Sequence, residues 1–255
     1  MDELKLDNAA ESTPPFWQRL HFVWTMLWVG IFAIPLSVIQ ACCHVFRPGA
    51  RNFKLWATIW SKASLLMSGL RVNVKRSPNL DPDQPFVFVS NHQSGLDILA
   101  HLVAIDVPFG FVAKQELKKV PFIGLALRFS ASLFVDRSTA RKAVKSMHEA
   151  AERIKGGNSV LIYPEGRRTW STQTAPFLKG AFQLATKAGV PIVPIAILNA
   201  HELYDARRIA SKPGTVELII GDPLETSELT RPEIIALAEH VRSVIQAELD
   251  DFHSA

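Results

Sequence analysis

Two short stretches carry the side chains most able to do chemistry. Asn91-His92-Gln93-Ser94-Gly95-Leu96-Asp97 sets an imidazole and a carboxylate five positions apart, directly after the apolar run Phe86-Val87-Phe88-Val89. Histidine is the commonest general base, and a carboxylate holding one ring nitrogen fixes the tautomer and steadies the imidazolium. On a regular helix the two residues would lie about 140° apart and could not meet, so the first part of the stretch has to be a turn. Gly95 is the residue expected to permit that turn, with Asp97 reaching back from the start of a helix. Such a pair can deprotonate an alcohol that attacks an acyl carbonyl, without a serine nucleophile.

The second stretch, Tyr163-Pro164-Glu165-Gly166-Arg167-Arg168-Thr169, places a glycine beside two guanidinium groups. Guanidinium forks bind phosphate oxygens bidentately, glycine lets backbone approach closely, and the Thr169 hydroxyl can add a donor. Lys114 with Glu116, and Asp136 with Arg137, add charge after two further apolar runs. Each group alone would pass for a surface ion pair; their order along the chain calls for a fold that brings strand ends together.

That fold is an α/β one, with a mixed, largely parallel sheet flanked by helices and an N-terminal membrane-embedded or interfacial two-helix segment. Short apolar runs predict strands over 86–90, 109–113, 133–135, 160–163, 192–197 and 216–220, several apolar throughout as strands covered on both faces should be. Helices are expected over 96–104, 122–129, 139–154, 181–188 and 232–249. In such a sheet, reactive side chains gather in the crevice outside the strand ends. The 190–194 run reads as a core strand, and Lys179-Gly180 as either a helix start or part of a loop around a ligand.

The front of the chain is different. No formally charged residue occurs from Leu20 to Phe46, and Phe22 to Ile39 is almost wholly apolar, close to the roughly 20 residues a spanning helix needs. Pro35, Gln40 and His44 fit a kinked, re-entrant or shallow helix at least as well. Asp2, Glu3, Asp7 and Glu11 precede it, where a signal peptide would carry positive charge. Next, Phe53, Trp56, Trp60, Ala63 and Met67 recur at helical spacing, predicting an interfacial face flanked by Arg47, Arg51, Lys54 and Lys62. The division expected is an acidic tail over 1–18, a membrane-associated helical hairpin over 19–70 and a catalytic domain over 71–255. If the apolar segment spans, the following cations keep that domain on the cytoplasmic face.

With 255 residues and 48% hydrophobic content, the chain can bury one large core. A net charge of +4 suits anionic lipids and ligands but falls short of a nucleic-acid footprint. Cys42 and Cys43 are adjacent, which makes neither a disulfide framework nor a metal site.

In order along the chain, these blocks resemble the glycerolipid acyltransferase family, and within it the 1-acyl-glycerol-3-phosphate acyltransferases. Asn91-His92 with Asp97 is similar to that family's NHxxxxD block, and Lys114 to Gly124 to its K-x-E-L-x-x-x-P-x-x-G block. Phe134-Val135-Asp136-Arg137 follows at the corresponding place. Tyr163 to Thr169 with Phe177-Leu178-Lys179-Gly180 resembles F-P-E-G-T-R-S and F-K-x-G, and Val190 to Pro194 resembles V-P-I-V-P. Arg167 stands where the family usually has Thr, adding a charge beside the phosphate site.

The resemblance implies transfer of a fatty acyl group from a thioester, on coenzyme A or acyl carrier protein, to the sn-2 hydroxyl of a lysophosphatidic acid at a membrane. His92 would be the general base and Asp97 its orienting partner. Arg137, Glu165, Gly166 and Arg168 match acceptor-binding positions, with Arg168 foremost for the phosphate, Lys114 a second ligand, and Arg167 and Thr169 beside them. Glu165 is expected to orient Arg168 or Arg137. No metal and no cofactor beyond the acyl donor is called for. Other lysophospholipids, glycerol 3-phosphate or a lyso-aminolipid are alternative acceptors. A non-catalytic, membrane-anchored module binding anionic lipid or an acyl carrier protein is the alternative of another class.

Overall fold

The computed structural model describes residues 13–46, 49–115, 132–135 and 139–254, together with Gly124, Leu127 and Ser130. The tail before residue 13, Arg47, Glu116, Asp136, Arg137, most of the helix expected over 122–129 and the side chain of Lys114 lie outside the described residues.

Seven strands form one sheet: β1 (Leu70–Arg76), β2 (Val87–Ser90), β3 (Phe109–Lys114), β4 (Leu133–Val135), β5 (Ser159–Ile162), β6 (Ile192–Ile197) and β9 (Gly214–Ile220). Their order is β1-β9-β6-β2-β5-β3-β4, and every pairing is parallel except β6 with β9. A two-residue hairpin, β7 (Tyr204–Asp205) and β8 (Ala210–Ser211), stands apart from it. The helices are α1 (Phe16–Phe46), α2 (Ala50–Met67), α3 (Leu96–Ala104), α4 (Ala140–Lys155), α5 (Gly180–Ala188), α6 (Ala200–Leu203) and α7 (Arg231–Ser254).

Strand alternation sends neighbouring side chains to opposite faces. Val87 and Val89 of β2 join Ile154, Phe182, Val241 and Ile245, so α4, α5 and α7 cover that side. Phe88 points the other way and joins Phe53, Leu65, Leu96 and Ala100, where α2 and α3 cover the sheet. The strands with continuous apolar runs are the central ones, β2, β5 and β6, buried at every position. β1, the four-residue α6 and the β7–β8 hairpin show no apolar run in the sequence. β1 is an edge strand whose inward residues alternate with exposed Arg71, Asn73 and Lys75, and β7–β8 is too short to show any period.

α1 is one helix that includes Pro35, whose ring removes one N–H bond without ending it. The front end differs from expectation in one respect: the tryptophan face of α2, Met67 apart, turns inward instead of outward. Phe53 is buried, Trp60 donates its indole N–H to the Val29 carbonyl at 3.0 Å, and Trp56 donates to Asn52 at 3.1 Å. The exposed apolar side chains of α2 are Leu55, Ile59, Leu66 and Met67. Large indoles gain most from packing against α1 and the sheet domain, leaving the smaller aliphatic face outside.

Candidate active site

Sheet register decides which blocks meet. Val89 pairs with Ile162 in the parallel β2–β5 ladder, so the chain positions three residues beyond each, His92 and Glu165, emerge side by side. β3 lies on the far side of β5 and carries Lys114 in register with Val135 of β4. Four separated blocks thus share one edge of the sheet. On the other flank of β2, Asn91 behaves as an extra strand residue: its Oδ1 accepts the Ile197 N–H at 2.9 Å and its Nδ2 donates to the Ile197 carbonyl at 2.8 Å.

The His92–Asp97 contact is made, at 2.6 Å from Nδ1 to Oδ2. The turn between them is not made by Gly95, whose φ of −68° any residue adopts. Asp97 makes it: the same Oδ2 accepts the backbone N–H groups of Gln93 at 2.8 Å and Ser94 at 2.9 Å. One carboxylate in the first turn of α3 therefore folds the loop, complements the helix dipole and orients the imidazole. Gly95 instead lies under the Tyr204 ring, where an added Cβ would sit 3.4 Å from Cε1.

Two residues that the pattern of charges does not single out complete the surroundings of His92. The Tyr163 ring stacks on the imidazole, with centroids 3.9 Å apart and planes 14° from parallel. His101, fully buried beneath, places Nδ1 2.6 Å from the Asp97 carbonyl and Nε2 3.0 Å from the Ser90 hydroxyl. Burial lowers its pKa to about 4, so it stays neutral and serves as a strut. The only sequence signal for either is an aromatic or polar residue one helical turn or one strand end away from the dyad.

Glu165 does not orient Arg168 as expected. Its Oε1 accepts the His92 N–H at 2.7 Å and its Oε2 the Ala175 N–H at 2.8 Å, binding the β2 end to the loop after β5. Burial pushes this carboxyl up from 4.5 to about 7, against the pull of those two donors. Thr169 is likewise engaged: its N–H and hydroxyl both donate to the His92 carbonyl, at 2.8 and 3.2 Å, rather than standing free for a ligand. Gly166 has φ +71°, in the region that favours glycine, and turns the loop so that exposed Arg167 and Arg168 follow it.

A cavity of about 580 Å³ begins at this edge. His92, Tyr163, Gly166, Arg167 and Arg168 line its polar end. Its apolar walls come from Ala33 and Leu36 of α1, Phe53, Trp56, Ala57 and Trp60 of α2, Ile98 and Leu102 of α3, and Phe111 and Val135 of the sheet. An alcohol or phosphate and a long apolar chain can occupy one continuous space. No cluster of three or more His, Cys, Asp or Glu suited to a metal occurs among the described residues.

Residues 71–198 match the family model described as Acyltransferase, and the chain belongs to that family. Curated relatives include the 1-acyl-sn-glycerol-3-phosphate acyltransferase alpha of Mus musculus, 32% identical over 236 residues that cover 92% of this chain and 80% of the relative. The 1-acyl-sn-glycerol-3-phosphate acyltransferase of Saccharomyces cerevisiae is 35% identical over 84% of this chain and 70% of its own length. The fold is similar to the crystal structure of the 1-acyl-sn-glycerophosphate (LPA) acyltransferase PlsC from Thermotoga maritima. The TM-score is 0.81, with 23% identity over 94% of this chain and 97% of that one.

Proposed function

We propose that this protein is a 1-acylglycerol-3-phosphate O-acyltransferase that works at a membrane surface, moving a fatty acyl group from acyl-CoA or acyl carrier protein to the sn-2 hydroxyl of lysophosphatidic acid and giving phosphatidic acid. One observation carries the reading: His92, with Nδ1 committed to Asp97, lines the same cavity as Arg168 and an apolar channel wall. Nε2 is the nitrogen left to take the acceptor's proton. As that proton leaves, the hydroxyl oxygen attacks the thioester carbonyl carbon, a C–O bond forms, and the tetrahedral oxyanion collapses with loss of the C–S bond. The imidazolium proton then goes to the departing sulfur, whose thiol pKa of about 8.5 makes it a ready leaving group. Asp97 offsets the imidazolium charge, Glu165 holds the His92 backbone, and Arg168 binds the acceptor phosphate, with Lys114 and Arg137 as further ligands.

Membrane attachment through residues 19–70, ahead of a catalytic domain from 71 onward, has its own support. α1 is long and apolar enough to cross a bilayer. It is also tied to the catalytic domain at its N-terminal end, where His21 lies 2.6 Å from Ser211 Oγ and Phe22 stacks on Tyr204, while further along it packs on α2, the Val29 carbonyl accepting the Trp60 indole N–H. Leu20, Val23, Leu27, Ile31, Ile34 and Val38 follow three- and four-residue spacing and are all exposed, forming the stripe that would enter lipid. The cytoplasmic face is the side on which a CoA or carrier-protein thioester is met.

Mass spectrometry of products from a panel of thioester donors and lysolipid acceptors tests the assignment. The expected result is phosphatidic acid from lysophosphatidic acid and its loss in His92→Ala; full turnover by His92→Ala would sink it. Arg167 at the cavity keeps a second reading open, the same transfer to a different acceptor. An acceptor preference unchanged by Arg167→Thr would remove it.

A further inference from the structure

Trp170, just outside the resembling motif, has φ +56°, a conformation that bulky side chains rarely adopt. Bonds on both sides hold it there. The preceding Thr169 N–H donates to the His92 carbonyl at 2.8 Å, and the following Ser171 carbonyl accepts from Gln93 Nε2 at 3.2 Å. Strain of this kind persists where the surroundings over-determine it, and here both tethers are to the catalytic turn.

The strain aims the indole at two cations. The Arg168 guanidinium carbon lies 5.8 Å from the ring centroid and that of Arg207 lies 5.1 Å from it. Arg207 sits in the β7–β8 hairpin and is fixed from behind by Asp205, through Nε to Oδ1 at 3.2 Å and Nη2 to Oδ2 at 2.9 Å. The hairpin itself is tied to the catalytic turn by Ser94 Oγ donating to the Tyr204 carbonyl at 2.6 Å. An exposed arginine on a loop would otherwise sample many rotamers, and each would have to be frozen out when a phosphate binds.

We propose that Trp170 is a positioning residue for acceptor recognition: braced by the Arg207–Asp205 pair, its indole preorganises the Arg168 guanidinium at the cavity mouth for the phosphomonoester head group. This rests on the reading of Arg168 as the phosphate ligand. Trp170 acts through Arg168 and does not touch the reacting atoms.

Steady-state kinetics with lysophosphatidic acid and an acyl-CoA in detergent micelles separate the possibilities. Trp170→Gly relieves the backbone strain, since glycine favours this φ, so the fold and its melting temperature are retained or improved. Acceptor KM should rise about tenfold while kcat and donor KM stay within about twofold. Trp170→Phe, which keeps an aromatic face, should restore most of the loss. In Arg168→Ala the acceptor KM should rise further, and adding Trp170→Gly to it should change nothing more, because the two act as one unit. If Trp170→Gly leaves acceptor KM unchanged, or adds its full effect on top of Arg168→Ala, the inference is overturned while Arg168 keeps its role. If Arg168→Ala itself leaves acceptor KM unchanged, the phosphate assignment fails and takes this inference with it.

Discussion

The two ends of the cavity are built on opposite terms. At the sheet edge Ser90, Asn91, Gln93, Ser94 and Asp97 are buried polar residues, and each is held by named backbone or side-chain partners, with Asp97 Oδ1 the one polar side-chain atom among them left without a partner among the described residues. In the α1–α2 hairpin, Trp28 Nε1, Gln40 Nε2, Asn52 Nδ2 and the hydroxyls of Ser61 and Ser64 are buried without a hydrogen-bond partner among the described residues. The outward side chains of α1 there are large and apolar. One end spends its polar groups on geometry; the other supplies shape and apolar area and is loosely specified. Catalytic precision needs the first, because a small displacement of a base from its proton is costly, whereas an acyl chain needs only a dry, accommodating wall.

If that contrast holds, changes at the sheet edge should act on chemistry and changes in the hairpin on partitioning. The largest effect is expected at the dyad. Asp97→Asn preserves an oxygen for the three donors and puts its amide at Oδ1, which has no partner among the described residues, so the fold should survive. Loss of the charge behind the imidazolium should still lower kcat by roughly 10²- to 10⁴-fold, read by thioester-dependent thiol release. Retained kcat would mean that Asp97 is only a loop-former.

Next comes the hairpin. Leu27→Glu with Ile31→Glu should reduce co-flotation with anionic vesicles by about tenfold or more, with turnover on monodisperse short-chain substrate unchanged. A fall in that soluble turnover would break the proposed separation of roles.

The Glu165 clamp has a pH signature. Its pKa of about 7 in the folded chain exceeds the ordinary 4.5, so the folded form holds a proton that the unfolded form has lost. Stability from this group is present below about pH 4.5 and declines as pH rises towards 7. Chemical denaturation of the wild type against Glu165→Gln across that range should show the slope in the former and its loss in the latter. Equal slopes would assign the pH dependence elsewhere.

The smallest effect is expected at Tyr163. Tyr163→Phe keeps the stack on His92 and should change kcat by less than about threefold, whereas Tyr163→Leu should lower it by about three- to tenfold. Equal effects of the two would point to the hydroxyl near His101 instead of the ring.

Much of this was readable in the chain because its signals are local. Continuous apolar runs marked β2, β5 and β6, since strands covered on both faces have no polar side to show. The spacing of His92 and Asp97 demanded a turn, and a turn is there. What misled was the assumption that a residue's most familiar use is its use here. Gly95 looked like a hinge but leaves room for the Tyr204 ring, Glu165 was expected to orient an arginine but accepts two backbone N–H groups, and the Thr169 hydroxyl, read as a spare donor, bonds the His92 carbonyl. Trp56 and Trp60 showed helical spacing correctly, yet periodicity cannot say whether an apolar face meets lipid or protein.

The sequence by itself determined the kinds of groups, their order and the elements that carry them, because these depend on neighbours within a few residues. Only the tertiary structure decided that His92 and Glu165 stand together, since that follows from β2 and β5 pairing across more than 70 intervening positions at the Val89–Ile162 register. It also decided that α1 closes the far wall of a cavity that begins at the loops after β2 and β5. Contacts between distant segments are chosen by burying apolar area while most inward polar groups find partners, a condition on the whole chain that no local window contains.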